Sequence, residues 1–268
     1  IVASDQLLAA GGPASNAAIT FSFLGGDSVL YSAIGNHPVN QIAIQDLSTH
    51  GVTISDLTPD GTSPISFSSV MVKGGTGERS VVSMNALKAQ AVFQGDPDEL
   101  NSADLVLVDG HQMQPSIQAC TAAKRAGIPS VMDCGSWKPG TEELLPFIEY
   151  AICSQRFLPP GCESSDEVFR YLRKAGTRHA AISRGGDSIL YELDGESGVL
   201  AVENAIVPVD TLGAGDILHG AFCYFILKNK DDFPVALKRA SEVATFSCRF
   251  FGTRGWMNEW SASMQRDH

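Results

Sequence analysis

The chain has 268 residues, 44% of them hydrophobic and 18% charged, which is enough to bury one full-sized core. Its formal net charge of -11 at pH 7 excludes a general affinity for nucleic-acid backbones or anionic membranes, because both need basic surface. Any anionic ligand must be held locally, by backbone amides or a few placed cations.

No apolar run approaches the ~20 residues of a membrane span and no signal-peptide pattern opens the sequence, so the chain reads as cytoplasmic. The cysteines, Cys120, Cys134, Cys153, Cys162, Cys223 and Cys248, form no C-x-x-C pair and have no histidine at ligand spacing. They read as reduced thiols serving as small core residues, with no structural metal.

In chain order, Ala14 to Leu24 is a helical pattern with Ala17, Phe21 and Leu24 on one face, followed by the strand Val29 to Ile34. Val39, Ile42, Ala43 and Leu47 make a second helical stripe that stops before Gly51. Ile65 to Asn85 then reads as an antiparallel hairpin whose strands flank a glycine-rich turn, Lys73 to Glu78. A lone hairpin is marginal in water, so it should pack as a small β lid over the main sheet, with Ile1 to Ala10 supplying a neighbouring strand; an edge extension of the sheet is the alternative.

Strands follow at Ala103 to Gly110, Pro129 to Asp133, Tyr150 to Cys153 and His179 to Ser183. Several are nearly continuous apolar runs, as in a parallel sheet covered on both faces. Helices alternate with them. Ile117 to Ala126 ends at Gly127, and Ser164-x-x-Glu167 is a capping box opening Val168 to Ala175, closed by Gly176. The alternation predicts an α/β layered fold. Asp109-Gly110-His111 and Asp133-Cys134-Gly135 follow two of these strands, at the edge where such sheets collect ligands, and are candidates for acceptor selectivity.

The strongest local signal is PVDTLGAGDILHGAFC, Pro208 to Cys223. Ala205 to Val209 is strand-like and Ala214 to Lys228 has the pattern of a buried helix, so Gly213 and Gly215 occupy a strand-to-helix turn. Amides of Gly213, Ala214, Gly215 and Asp216 would point outward there with the positive end of the helix dipole, a place for phosphate oxygens. Asp216 would repel a phosphate unless it accepts a proton from the group attacking it. The pattern points to phosphoryl transfer, although turn glycines followed by a favourable first-turn acid would explain the spacing alone.

DTLGAGD, Asp210 to Asp216, resembles the C-terminal signature D-T-x-G-A-G-D of the ribokinase-like, or PfkB, family of carbohydrate kinases. GGPASNAAITFSFLGG, Gly11 to Gly26, resembles that family's N-terminal G-G-x-x-x-N-x-A region, in the expected order. The likeness extends over the lid hairpin with its GTGER turn, SRGG at Ser183 to Gly186, and FFGTRG near the C-terminus. It implies one ribokinase-like α/β domain over 1–268, a three-layer sandwich with a mainly parallel central sheet, and a lid formed by about 1–11 and 63–85.

By the same resemblance, Gly12 and Asn16 would line the acceptor sugar site, with Asp109, His111 and Asp133 as further substrate-side candidates. Gly213, Ala214 and Gly215 would form the anion hole for the γ-phosphate, and Asp216 would be the catalytic base. Ser183, Arg184, Gly185 and Thr211 would lie along the nucleotide, and Ala244, Cys248 and Gly252 near adenine. ATP and Mg²⁺ are the implied cofactors; a monovalent cation such as K⁺ is a further candidate.

The departures matter too. Where the family's N-x-x-E helps organise Mg²⁺, this chain has Ser154-Gln155-Arg156-Phe157, which leaves the metal's protein contacts unassigned; some ketohexokinase-like members also depart there. T-x-G-x-x-G is altered to Ser183-Arg184-Gly185-Gly186-Asp187-Ser188, and Gly35-Asn36-His37-Pro38-Val39-Asn40 stands for G-x-D-x-x-G. The family's first core strand, ending in a sugar-binding aspartate, has no counterpart at the start of this sequence, so either it lies ahead of Ile1 or the site is incomplete.

His37 and His219 read as structural or solvated, Lys138 as either an anion contact or a solvated charge, and Trp137, Trp256 and Trp260 as packing groups. The leading function is an ATP-dependent kinase acting on a sugar hydroxyl, with a nucleoside kinase as the nearest alternative and a catalytically silent sugar or nucleotide sensor as the third. Retention of Asp216 beside both glycines favours an enzyme. No G-x-G-x-x-G unit follows an early strand, which removes the dinucleotide oxidoreductases. The lid is expected to close over the acceptor or to pair with a second subunit's lid, burying Val70, Met71 and Val81 in a homodimer.

Overall fold

The computed structural model describes residue 3 and residues 5–72, 79–84, 90–93, 100, 102–202, 207–228 and 232–264. Helix α1 (Pro13–Phe23) leads to β1 (Ser28–Ser32), α2 (Asn40–Thr49), β2 (Val52–Asp56) and the hairpin β3 (Ser68–Val72) and β4 (Arg79–Ser83). Then come β5 (Val106–Val108), α3 (Met113–Ala126), β6 (Ser130–Cys134), α4 (Thr141–Leu144), β7 (Tyr150–Ser154), α5 (Ser165–Ala175) and β8 (His179–Arg184). The chain finishes with β9 (Asp187–Leu193), β10 (Glu196–Leu200), α6 (Ala214–Lys228), α7 (Phe233–Ser247) and α8 (Met257–Met264).

The main sheet has the order β10-β9-β8-β7-β6-β5; β5 to β8 pair in parallel, while β9 and β10 continue antiparallel at one edge. Side chains alternate between two cores. Val131, Tyr150, Ile152 and Ala181 face α6 and α7, whose Phe222, Phe233 and Leu237 are buried against them. Met132, Cys134, Ala151, Cys153 and Ile182 face the opposite way, onto α3 and α5 through Cys120, Val168 and Leu172. Helices on both faces of a mostly parallel sheet make the three layers expected, and they explain the continuous apolar runs.

Local signals are placed as the sequence predicts. The Ser164 hydroxyl accepts the Glu167 amide at 3.3 Å while the Glu167 carboxylate accepts the Ser164 amide at 3.1 Å, the reciprocal capping of α5. Pro13 occupies the first turn of α1 after Gly12, whose φ of 101° is left-handed. β3 and β4 form the antiparallel hairpin, with Val70 opposite Val81. Its turn, Lys73 to Glu78, lies outside the described residues.

Two expectations change. No strand forms among the described residues of Ile1 to Ala10, so the hairpin gains no partner from that segment. Val207 to Val209 are not in a strand, and the preceding part of the predicted Ala205 to Val209 strand lies outside the described residues. The parallel pair β1 and β2 forms a separate two-stranded sheet. Between β1 and β5 lies a cleft of about 900 Å³, floored by Ala14, Ala17 and Phe21 and reaching Gly12, Asp109 and His111 at one end.

Helices α1 and α6 pack with backbones in contact. A Cβ on Gly220 would fall on the Ala17 carbonyl, with Ala17 Cα only 2.9 Å away, so the position accepts no side chain. Gly220→Ala is expected to destabilise the fold by about 1–3 kcal/mol through overpacking. Gly215→Ala, where no protein atom lies within 4 Å of the added carbon, should change stability by less than about 0.5 kcal/mol. Denaturant midpoints at constant slope compare the two; equal midpoints for Gly220→Ala and the parent would contradict this packing.

Candidate active site

The α1–α6 contact brings two helix N-termini together. Asn16 sits in the first turn of α1 and is buried; Asp216 sits in the first turn of α6. Asn16 Nδ2 donates to Asp216 Oδ2 at 2.7 Å. The amide's orientation is fixed from behind, because Arg254 Nη1, which can only donate, meets Asn16 Oδ1 at 2.8 Å. Arg254 Nη2 also donates to Asp46 Oδ2 and to the Ala10 carbonyl, each at 3.0 Å, and Asp46 Oδ2 accepts the Ala10 amide at 2.8 Å. A relay Asp46, Arg254, Asn16, Asp216 thus links α2, the C-terminal segment, α1 and α6.

The turn before α6 is built by Asp210 and Gly213. Asp210 is buried and accepts the Leu212 amide at 2.9 Å and the Gly252 amide at 3.0 Å. Gly213 has φ 72°, and a Cβ there would come within 2.5 Å of Thr253 Cγ2. The Ala214 amide donates weakly to the Thr211 carbonyl at 3.3 Å. Among the described residues, the amides of Gly213, Gly215 and Asp216 have no protein acceptor. Gly215 has no packing reason to be glycine, as no protein atom lies within 4 Å of where its Cβ would stand.

Two further carboxylates come from strand ends. Asp109, just beyond β5, accepts the His111 amide at 2.9 Å and the Ala14 amide at the start of α1 at 3.3 Å. Burial alone would raise its carboxyl, but the His111 ring, 3.3 Å away, and these amides hold it below the ordinary carboxylate range. His111 is pushed up in turn, chiefly by Asp109. Asp133, within β6, lies 3.2 Å from His219 Nδ1; burial pushes it up against the opposing pull of that histidine. Asp216 is pushed up to about 6 by burial and by the Asp133 charge, with the Asn16 hydrogen bond acting the other way.

Lys138 is a second buried cation of this region, in addition to Arg254. It is 8% exposed, and its Nζ donates to the Asp109 carbonyl at 3.1 Å, leaving two of its three protons without a protein partner among the described residues. An ammonium so enclosed is costly unless an anion meets it. Sequence reasoning left it open, and it missed Arg254, whose only sequence signal is a lone arginine beside a glycine-rich turn.

The nucleotide-side candidates spread over the same end of the sheet. Ser183 and Arg184 end β8, with Ser183 Oγ on the Cys153 carbonyl at 3.2 Å and Arg184 Nε on the Ser188 carbonyl at 2.9 Å; Gly185 is exposed in the turn to β9. Thr211 is exposed ahead of α6. Cys248 caps α7 and accepts the Val209 amide at 2.8 Å, joining α7 to the loop before α6, and Ala244 lies one turn earlier. Gly252 is buried beneath Leu7, so its missing side chain makes room for protein.

Ser154 to Phe157 do not form a metal cage: Ser154 Oγ is turned to the Gly135 carbonyl at 2.7 Å, and Gln155 and Arg156 are exposed. No group of three His, Cys, Asp or Glu side chains converges for a metal among the described residues. No helix among them is long and apolar enough to cross a membrane.

Comparison with known proteins agrees with this architecture. The ribokinase of Bacillus subtilis (strain 168) is 24% identical over 262 residues, covering 92% of this chain and 84% of the relative. The ribokinase structure from Thermotoga maritima superposes with a TM-score of 0.79 at 18% identity, over 95% of this chain and 87% of the other. The Arabidopsis thaliana ribokinase complexed with ribose and ATP gives 0.78 at 21% identity, over 94% and 85%. The model of the pfkB family carbohydrate kinases matches residues 3–260, and with the two motifs thus joined in one site, the chain belongs to that family.

Proposed function

We propose that this kinase moves the γ-phosphate of ATP to a hydroxyl of a small sugar or sugar derivative, with Asp216 as the base. The carrying observation is the juxtaposition in the first turn of α6: amides of Gly213 and Gly215 lacking protein acceptors, and beside them a carboxylate oriented by Asn16. The amides and the helix dipole would hold phosphate oxygens. Asp216 would take the hydroxyl proton as the phosphoryl group leaves ADP, and because the transition state is loose, position matters more than base strength.

Gly12, Asp109 and His111 form the acceptor side in this reading; the cleft that they border extends away from Asp216, which does not line it. Asn16 orients the base through its bonds to Asp216 and Arg254, and its second Nδ2 proton is still available to a sugar hydroxyl. Lys138 supplies positive charge for the transferring group. Mg²⁺ carried on the phosphates would add charge neutralisation, a task for which the described side chains offer no dedicated cage. The hairpin is the lid in this reading; Met71 and Val81, which the strand pairing puts on its opposite faces, are each more than half exposed, and a homodimer would have to enclose both faces to bury them. Sedimentation giving a monomer at all practical concentrations would remove the dimer.

The acceptor is found by an ATP-consumption screen over ketoses, pentoses, sugar acids, phosphorylated sugars and nucleosides, with the phosphorylated product detected directly. Nucleoside phosphorylation alone would favour the nucleoside alternative; failure with all classes in the presence of Mg²⁺ would favour the sensor. On the acceptor so identified, Asp216→Asn should lower turnover by ~10² to 10⁴-fold with ATP affinity, measured by calorimetry, nearly intact. Gly215→Val should weaken both, since its branch stands where phosphate must approach. Wild-type turnover in Asp216→Asn would end this mechanism.

The base works only when ionised. With the Asp216 carboxyl pushed up to about 6, kcat/KM should fall about tenfold per pH unit below that value and level off above it. A pH profile flat down to 4.5 would contradict the assignment. Lys138→Met should lower kcat by about 10²-fold, the usual cost of removing one preorganised donor, and an unchanged kcat would take the lysine out of the phosphate's path.

A further inference from the structure

The mechanism leaves one buried titratable group unused. His219 lies one turn beyond Gly215 on α6, 4% exposed, between the helix and the central sheet. Nδ1 is 2.6 Å from the Gly215 carbonyl and 3.2 Å from Asp133 Oδ2, and Nε2 is 3.0 Å from the Ile152 carbonyl of β7. Every partner is an acceptor. A ring with a single proton would press one nitrogen lone pair against a carbonyl oxygen, whereas a ring protonated on both nitrogens satisfies all three contacts.

We propose that His219 is a positioning residue, held as an imidazolium that pins the Gly215 carbonyl and Asp133 and thereby fixes the first turn of α6, where Asp216 and the phosphate-facing amides stand. The proposal rests on the reading of Asp216 as the base. The surrounding charges explain why a cation is wanted here. Asp133 on β6 and Asp216 on α6 influence each other, and both feel Asp109 beyond β5. His111 and Lys138 stand near Asp109 and Asp133, and Arg254 near Asp216. Helix α1 contributes only the uncharged Asn16, β7 only a carbonyl, and the charged side chains of α7 are exposed. Three carboxylates meeting a polyphosphate would repel it; Asp109 is offset by His111 and Asp133 by His219, while the base itself touches only the neutral Asn16, with Arg254 behind that amide.

The ring itself can be observed. In the protein labelled with ¹⁵N-histidine, with the resonance assigned by its loss in His219→Gln, both nitrogens of His219 should keep protonated-imidazole shifts at pH 7.5, where exposed histidines are neutral. A neutral tautomer at that pH would overturn the proposal. It would leave the assignment of Asp216 untouched, since that is judged by Asp216→Asn.

Kinetics gives the second readout. His219→Gln keeps a donor near the Gly215 carbonyl but removes the charge, so the acid limb of kcat/KM should move up by about one pH unit, as expected on losing a nearby opposite charge. ATP affinity should fall less than kcat. A drop in kcat with an unmoved acid limb would mean that the ring only fills space, and the proposal would fail. If the variant does not fold, the ¹⁵N measurement on the parent protein, assigned instead by elimination with the other five histidines substituted singly, still decides.

Discussion

The site depends on how closely α1 and α6 approach. Gly220 meets the Ala17 backbone with no side chain between them, one turn beyond Asp216 and one residue beyond Asn16. A larger residue would separate the two N-terminal turns, and the 2.7 Å Asn16–Asp216 hydrogen bond could not survive much separation. Each helix is entered through a glycine with left-handed φ, Gly12 at 101° and Gly213 at 72°. Conformational cost at the turns and close packing between the helices therefore serve one end: two helix starts delivered to the same place.

Charge follows the same logic on a protein that repels anions overall. With a net charge of -11, attraction has to be built residue by residue. In the proposed reading it would come from backbone amides at the start of α6, from Lys138, and from the partners that offset the acidic residues. Arg254 has a related task at longer range. Buried and paired with Asp46, it holds Asn16 without spending its charge at the reacting centre, and an arginine suits this because its planar fork meets several acceptors at once.

The parallel strands, the capping box and the glycine-led helix were legible in the sequence because each has a local cause: uninterrupted apolar runs, a reciprocal hydrogen-bond pair, and glycines at the mouth of a helix. The hairpin β9 and β10 was missed although its signal was present. Asp194 and Gly195 take φ of 51° and 90°, the Asp-Gly turn that joins twisted strands, and alternating residues flank it. Strand β2, Val52 to Asp56, was hidden by its shortness and mixed burial. Side-chain roles were less readable. Asn16 and Asp216 stood out through their motifs, but Arg254 and His219 act through partners 238 and 67 residues away, and no spacing announces such contacts.

Strands β1 and β2 are hydrogen-bonded apart from the main sheet yet packed into the same core, where Leu30 and Val52 are buried together with Val131, Tyr150 and Ile152. Strands β6 and β7 are hydrogen-bonded on both sides and almost wholly buried, while β1 has one neighbour and shows Val29 to solvent at 57%. One core thus backs both sheets, so a cavity opened at Leu30 would loosen the packing of the central strands as well as that of β1.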